Sequence, residues 1–155
     1  MRRNIVIPVA GIISLAACLP ASAAIELCEP LRAFAASVNP GESRVLKFHT
    51  IWGGNFKDRD QEAVGAKRCE HSNYPPAVAV CTYLMKYGMI EFAGQNAKAA
   101  LECLSRPTRF DAAAKLKSIS MSVKYGDEER GSLVEIEFHE HAALGGMVLA
   151  ITASR

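Results

Sequence analysis

Leu133–His139 reads LVEIEFH, and its alternation decides the class of fold. Successive side chains of an extended chain point to opposite sides, so Val134, Ile136 and Phe138 share one face and Glu135, Glu137 and His139 the other. A strand with one apolar and one charged face belongs to an antiparallel sheet covered on a single side. Just upstream, Lys117–Tyr125 (KSISMSVKY) has the same form, with Ile119, Met121, Val123 and Tyr125 inward and serines and lysines outward. Downstream, Met147–Ala153 is a third strand-like run. The connections at 126–131 and 142–146 have hairpin length and glycines, so these strands are expected to form a meander.

Further upstream, Ser43–Trp52 alternates with Leu46, Phe48, Thr50 and Trp52 on one face, which predicts another strand with Trp52 in the core. Three segments follow helical spacing instead. Residues 25–38 carry Ile25, Cys28, Leu31, Ala35 and Val38 on one side, widened by Leu27 and Phe34. Pro75-Pro76 opens a helix from about Ala77 to Tyr87, whose expected buried face is Val80, Cys81, Leu84, Met85 and Tyr87. Glu91–Leu104 predicts another, with Phe92, Ala97, Ala100, Leu101 and Leu104 apolar. The short turn between these two helices predicts an antiparallel hairpin, and the stripe Tyr83, Met85, Tyr87, Met89 reads as packing rather than a ligand groove. The expected fold is α+β: an antiparallel meander of about four strands covered on one face by three helices, in the order α-β-α-α-β-β-β, as one domain over 24–155.

The chain is 155 residues and 50% hydrophobic, enough apolar content to build a core and to exclude a disordered polymer. Its first 23 residues read as a signal peptide: Arg2-Arg3, an apolar run from Ile5 to Ala17, and Ala21-Ser22-Ala23 as a small–x–small cleavage site. The run is too short to span a bilayer as a helix. Leu15-Ala16-Ala17-Cys18 is a competing signal, a lipobox in which Cys18 would be acylated. The expected location is the periplasm or the exterior, or the outer membrane if Cys18 carries lipid. Loss of Arg2 and Arg3 takes the 18 basic side chains to 16, equal to the 16 acidic ones, so the mature chain is near neutral. No basic stretch remains for a phosphate backbone, which argues against nucleic acid as a partner.

Beyond Cys18 stand Cys28, Cys69, Cys81 and Cys103, an even set that reads as two disulfides in an exported chain. Three pairings are possible. The expected helix hairpin places Cys81 and Cys103 about 6 Å apart along the axis, a mismatch that offset helices can bridge, which favours Cys81–Cys103 with Cys28–Cys69. The absence of CxxC argues against a paired-ligand zinc site or a thioredoxin-like centre.

Two regions are candidate sites. Residues 53–75 form the longest stretch without regular pattern, and Asp58, Arg59, Asp60, Glu62, Arg68 and His71 make it the expected partner-binding loop. Asp58, Asp60 and Glu62 have the spacing of part of a calcium loop, without its glycine and distal glutamate. His139-Glu140-His141, with Glu135 and Glu137, is the densest ligand-like cluster, and Glu137, His139 and His141 are its weak candidates for a metal, with His49 a possible addition if its strand lies near; a solvated strand end is the plainer reading. The chain has no GxSxG, no phosphate-binding glycine loop and no HExxH, and no cofactor is expected. A binding module directed at another envelope or secreted protein is therefore favoured over a small enzyme or a ligand or metal carrier working around His139 and His141. In size and cysteine use the plan resembles periplasmic immunity proteins and inhibitors of cell-wall-degrading enzymes, with no shared motif.

Overall fold

The computed structural model describes residues 23–105, 108–111, 113–127 and 131–155. Residues 1–22 of the expected leader, Cys18 among them, lie outside the described residues; Ala23, the last residue of the expected cleavage site, is the first residue of α1. Three helices and five strands follow one another as α1 (Ala23–Ala36), β1 (Ser43–Trp52), β2 (Gly65–Glu70), α2 (Pro75–Tyr87), α3 (Gly94–Leu104), β3 (Ile119–Tyr125), β4 (Ser132–Glu140) and β5 (Met147–Ser154). The strands form one sheet in the order β2-β1-β5-β4-β3. Every neighbouring pair is antiparallel. The α+β class and the β3-β4-β5 meander are as expected, but the sheet has five strands rather than four. The additional one, β2, pairs with β1 and ends the sheet.

Register puts the apolar positions in rows. Phe138, Leu149 and Phe48 sit side by side across β4, β5 and β1, and Ile136, Ile151 and Leu46 form the next row. All six are buried, and the helices cover that face. α1 lies against both α2 and α3, with Leu27, Leu31, Phe34 and Ala35 buried between them and the sheet. Alternation along the strands thus sorts the side chains, and hydrophobic burial against the amphipathic helices fixes the layer.

The helix hairpin is not what forms: α2 and α3 pack chiefly on α1 rather than on each other. The reason lies in residues 88–93, which are not a tight turn. The buried Asn96 side chain accepts from the Met89 backbone N–H (2.9 Å) and donates to the Met89 carbonyl (2.7 Å), holding this connection across the start of α3. α3 begins at Gly94 rather than Glu91, so Phe92 is left outside it.

This geometry overturns the favoured disulfide pairing. The bonds are Cys28–Cys103 and Cys69–Cys81. The first joins α1 to α3, where the Arg32 Nε also donates to the Cys103 carbonyl (2.9 Å). The second fastens β2 to α2, because Cys69, paired with Phe48, faces the helical layer. Among the described residues no helix is long and apolar enough to cross a membrane.

Candidate binding site

The loop between β1 and β2 is built from the residue that the polar reading passed over. Phe56 is fully buried on the outer face of the sheet, and the Arg68 guanidinium lies over its ring at 4.7 Å. Arg68 Nη2 in turn donates to Asp58 Oδ1 at 2.7 Å, and this hydrogen bond holds the Asp58 carboxyl below its ordinary range. The Lys57 backbone N–H donates to the Leu144 carbonyl (3.0 Å) and its Nζ to the Ala142 carbonyl (2.8 Å), tying the loop to the β4–β5 turn. Gly146 closes that turn at φ +70°, and a Cβ there would run into the Thr50 carbonyl, so only glycine fits.

The expected partner-binding residues therefore separate. Arg59, Asp60 and Glu62 stay exposed on the loop, Arg68 belongs to β2, and His71 follows it, its Nδ1 accepting from the Asn73 N–H at 3.2 Å. Of the weak metal candidates, Glu137 and His139 are exposed on the outer face of β4. His141 lies past the end of that strand, in the turn, with its ring 5.2 Å from that of His49. Among the described residues no three His, Cys, Asp or Glu side chains come together as a ligand set.

His49 is the unusual member of this outer layer. It is 1% exposed, enclosed by Phe56 and His141, and neither ring nitrogen makes a hydrogen bond. Glu70 Oε1 approaches Nε2 to 3.2 Å without hydrogen-bond geometry. Burial lowers the imidazole below its ordinary value of 6.5, Glu70 opposes this, and His141, Arg68 and Lys47 add to it. The folded state thus binds a proton at His49 less readily than the unfolded chain. Stability carried by neutral His49 is complete above the unfolded value and is lost as pH falls through the lowered folded one. The urea midpoint should accordingly drop between about pH 7.5 and about pH 5, and His49→Phe should flatten that drop. An unchanged slope in the variant would remove His49 as its source.

The opposite end of the same loop exposes apolar surface. Trp52, expected in the core, is instead 56% exposed, because it is the last residue of β1 and only Gly65 stands opposite it on β2. Val64 is 75% exposed and adjoins it, its carbonyl accepting from the Gly53 N–H at 2.9 Å. Ile90 closes over the same glycine, 3.1 Å from where a Gly65 Cβ would stand, and Phe92 beyond it is 60% exposed. Single exposed apolar residues are ordinary on any protein, whereas a contiguous group is a feature of interaction surfaces. Met85 and Tyr87, expected to be buried on α2, are also exposed, since the buried face of that helix is Ala77, Val80, Cys81 and Leu84. The signal that sequence reading missed was therefore position: Trp52 and Phe92 carry the right spacing, but Trp52 is the last residue of β1 and Phe92 precedes the first residue of α3.

Behind Trp52, a cleft of about 670 Å³ opens between the ends of β1 and β5, the start of α3 and residues 114–117. That size is typical of ligand clefts. Compared with known proteins, the chain matches no family model, no curated protein and no solved structure.

Proposed function

We propose that the protein is a non-catalytic binding module that docks another envelope or secreted protein against its Trp52–Val64–Phe92 end, in the manner of an inhibitor or immunity protein. The observation that carries this reading is the group of exposed Trp52, Val64 and Phe92 around the half-buried Ile90 at one end of the sheet. Aromatic anchors of this kind supply most of the binding energy in protein interfaces, with charged residues at the rim. Arg59, Asp60 and Glu62 are exposed on the loop that joins Trp52 to β2 and supply the charge such a rim needs. Among the described residues β2 is a short edge strand, and it starts beside the group. Two structural disulfides support an oxidising compartment, in keeping with the signal-like start of the chain.

Position-specific photocrosslinking tests the proposal. A benzoylphenylalanine in place of Phe92 should trap a discrete protein in envelope preparations, and one in place of Ser122, on the outer face of β3, should not. Excess wild-type protein should compete the product away, and excess Trp52→Ala/Phe92→Ala should leave it. Equal trapping at both positions, or competition by the double variant, would remove the assignment.

A further inference from the structure

The cleft behind Trp52 carries chemistry that a protein-docking patch does not require. Its walls are apolar: Trp52, Ile90, Phe92, Leu116, Phe138 and Met147. Its charged groups are Lys98, Lys115 and Lys117 against a single carboxylate, Glu91. Lys115 and Lys117 are exposed at the rim. Lys98 is different. It sits within α3, is 5% exposed, and lines both this cleft and a smaller one of about 400 Å³ behind it.

A buried ammonium needs partners, because its desolvation is costly unless hydrogen bonds or an opposite charge compensate. Nζ has three protons to donate. Among the described residues it has one hydrogen-bond partner, the Asp111 carbonyl at 3.3 Å, and no carboxylate within ion-pair distance. The nearby acids on the smaller-cleft side are engaged elsewhere: Glu102 Oε1 accepts from the Phe110 N–H, and Asp111 Oδ1 from the Ala113 N–H. Lys98 thus brings a buried cation with a single protein hydrogen bond and no paired carboxylate to the wall of an apolar cleft with a basic rim. We infer that the cleft binds a fatty monocarboxylate, with its chain along Trp52, Phe92 and Phe138 and its carboxylate on Lys98. The occupant is a free fatty acid rather than a membrane lipid, because one anionic oxygen pair matches one buried ammonium and the 670 Å³ cleft suits a single chain.

This inference goes beyond the docking of a protein and shares with it the Trp52, Ile90 and Phe92 walls. Its test uses the isolated protein, so its failure leaves the crosslinking result standing. Trp52 is the only tryptophan and serves as the reporter. Laurate titrated into the full chain should shift Trp52 emission to the blue and saturate. Dodecanol, with the same chain and no charge, should bind at least about tenfold more weakly, and dodecyltrimethylammonium should not bind. Lys98→Met should abolish the preference for laurate over dodecanol while retaining dodecanol binding. Should that variant not fold, laurate labelled with ¹³C at its carboxyl, bound to the wild-type protein, gives an independent reading. Its carboxyl signal should titrate at lower pH than in free laurate, as pairing with an ammonium requires. Equal affinity for laurate and dodecanol, no change in Trp52 emission, a bound carboxyl that titrates like the free acid, or preference for phosphatidylglycerol vesicles over laurate would each overturn the proposal.

Discussion

A Cys28→Ala/Cys103→Ala variant is expected to lose about 4.5 kcal/mol of folding stability, the entropy of closing its loop in the unfolded chain. The bonded cysteines are 75 residues apart, whereas Cys69 and Cys81 are separated by 12. The same relation gives about 2.8 kcal/mol for the shorter loop. The difference has a structural counterpart. Cys28–Cys103 binds the first helix to the third, across everything between them, while Cys69–Cys81 only fastens β2 to the helix that follows it. Urea unfolding of the two double-alanine variants checks this ordering. A larger loss from Cys69→Ala/Cys81→Ala would mean that the edge strand, rather than the α1–α3 contact, limits the stability of the fold.

Phe48→Ala is expected to cost about 3–5 kcal/mol, the range for deleting a large ring from a close-packed interior. Phe48 stands between Leu149 on β5 and Cys69 on β2. It meets the end of α2 so closely that a Cβ on Gly88 would lie 2.7 and 2.9 Å from its ring atoms. Both the sheet and the helical layer therefore lose a contact surface, and neither can collapse into the space without moving backbone. Met121→Ala, at an exposed position on β3, should cost no more than about 1 kcal/mol. Equal losses from the two substitutions would show that the Phe48 row is not the centre of the core.

These expectations rest on elements that differ in how plainly the chain announces them. β1 and β4 were legible because Leu46/Phe48 and Val134/Ile136/Phe138 alternate with polar residues, and one buried face makes register and orientation the same question. β2 was not. Its six residues, GAKRCE, hold no alternating apolar pair, and most of it is half-buried on both faces, under α2 on one side and the Phe56 loop on the other. A strand placed by its neighbours rather than by its own pattern has no period to read. The disulfide pairing was misread for a related reason. Cys81 and Cys103 suit a helix hairpin, but the choice between hairpin and separated helices is made by Asn96 gripping Met89, a side-chain contact with no periodic signal.

The candidate site divides the same way. The charged loop residues Asp58, Arg59, Asp60 and Glu62 were visible by composition, although Asp58 serves to hold Arg68 over Phe56. The apolar end was hidden because Trp52 sits in phase with the core residues of β1, and alternation alone says which face a side chain takes, not whether anything covers it. Lys98 was hidden in the opposite sense: a lysine between alanines on a helix reads as solvated, and only the surrounding layer buries it.

The affinity of the protein trapped at position 92, measured by calorimetry against wild-type chain and against Trp52→Ala/Phe92→Ala, bears most directly on the docking surface. Two aromatic anchors at the centre of an interface should together be worth at least about a hundredfold in affinity, with the far-ultraviolet spectrum of the variant unchanged. Affinity within about threefold of wild type in a folded variant would place the contact elsewhere on the molecule and contradict the account.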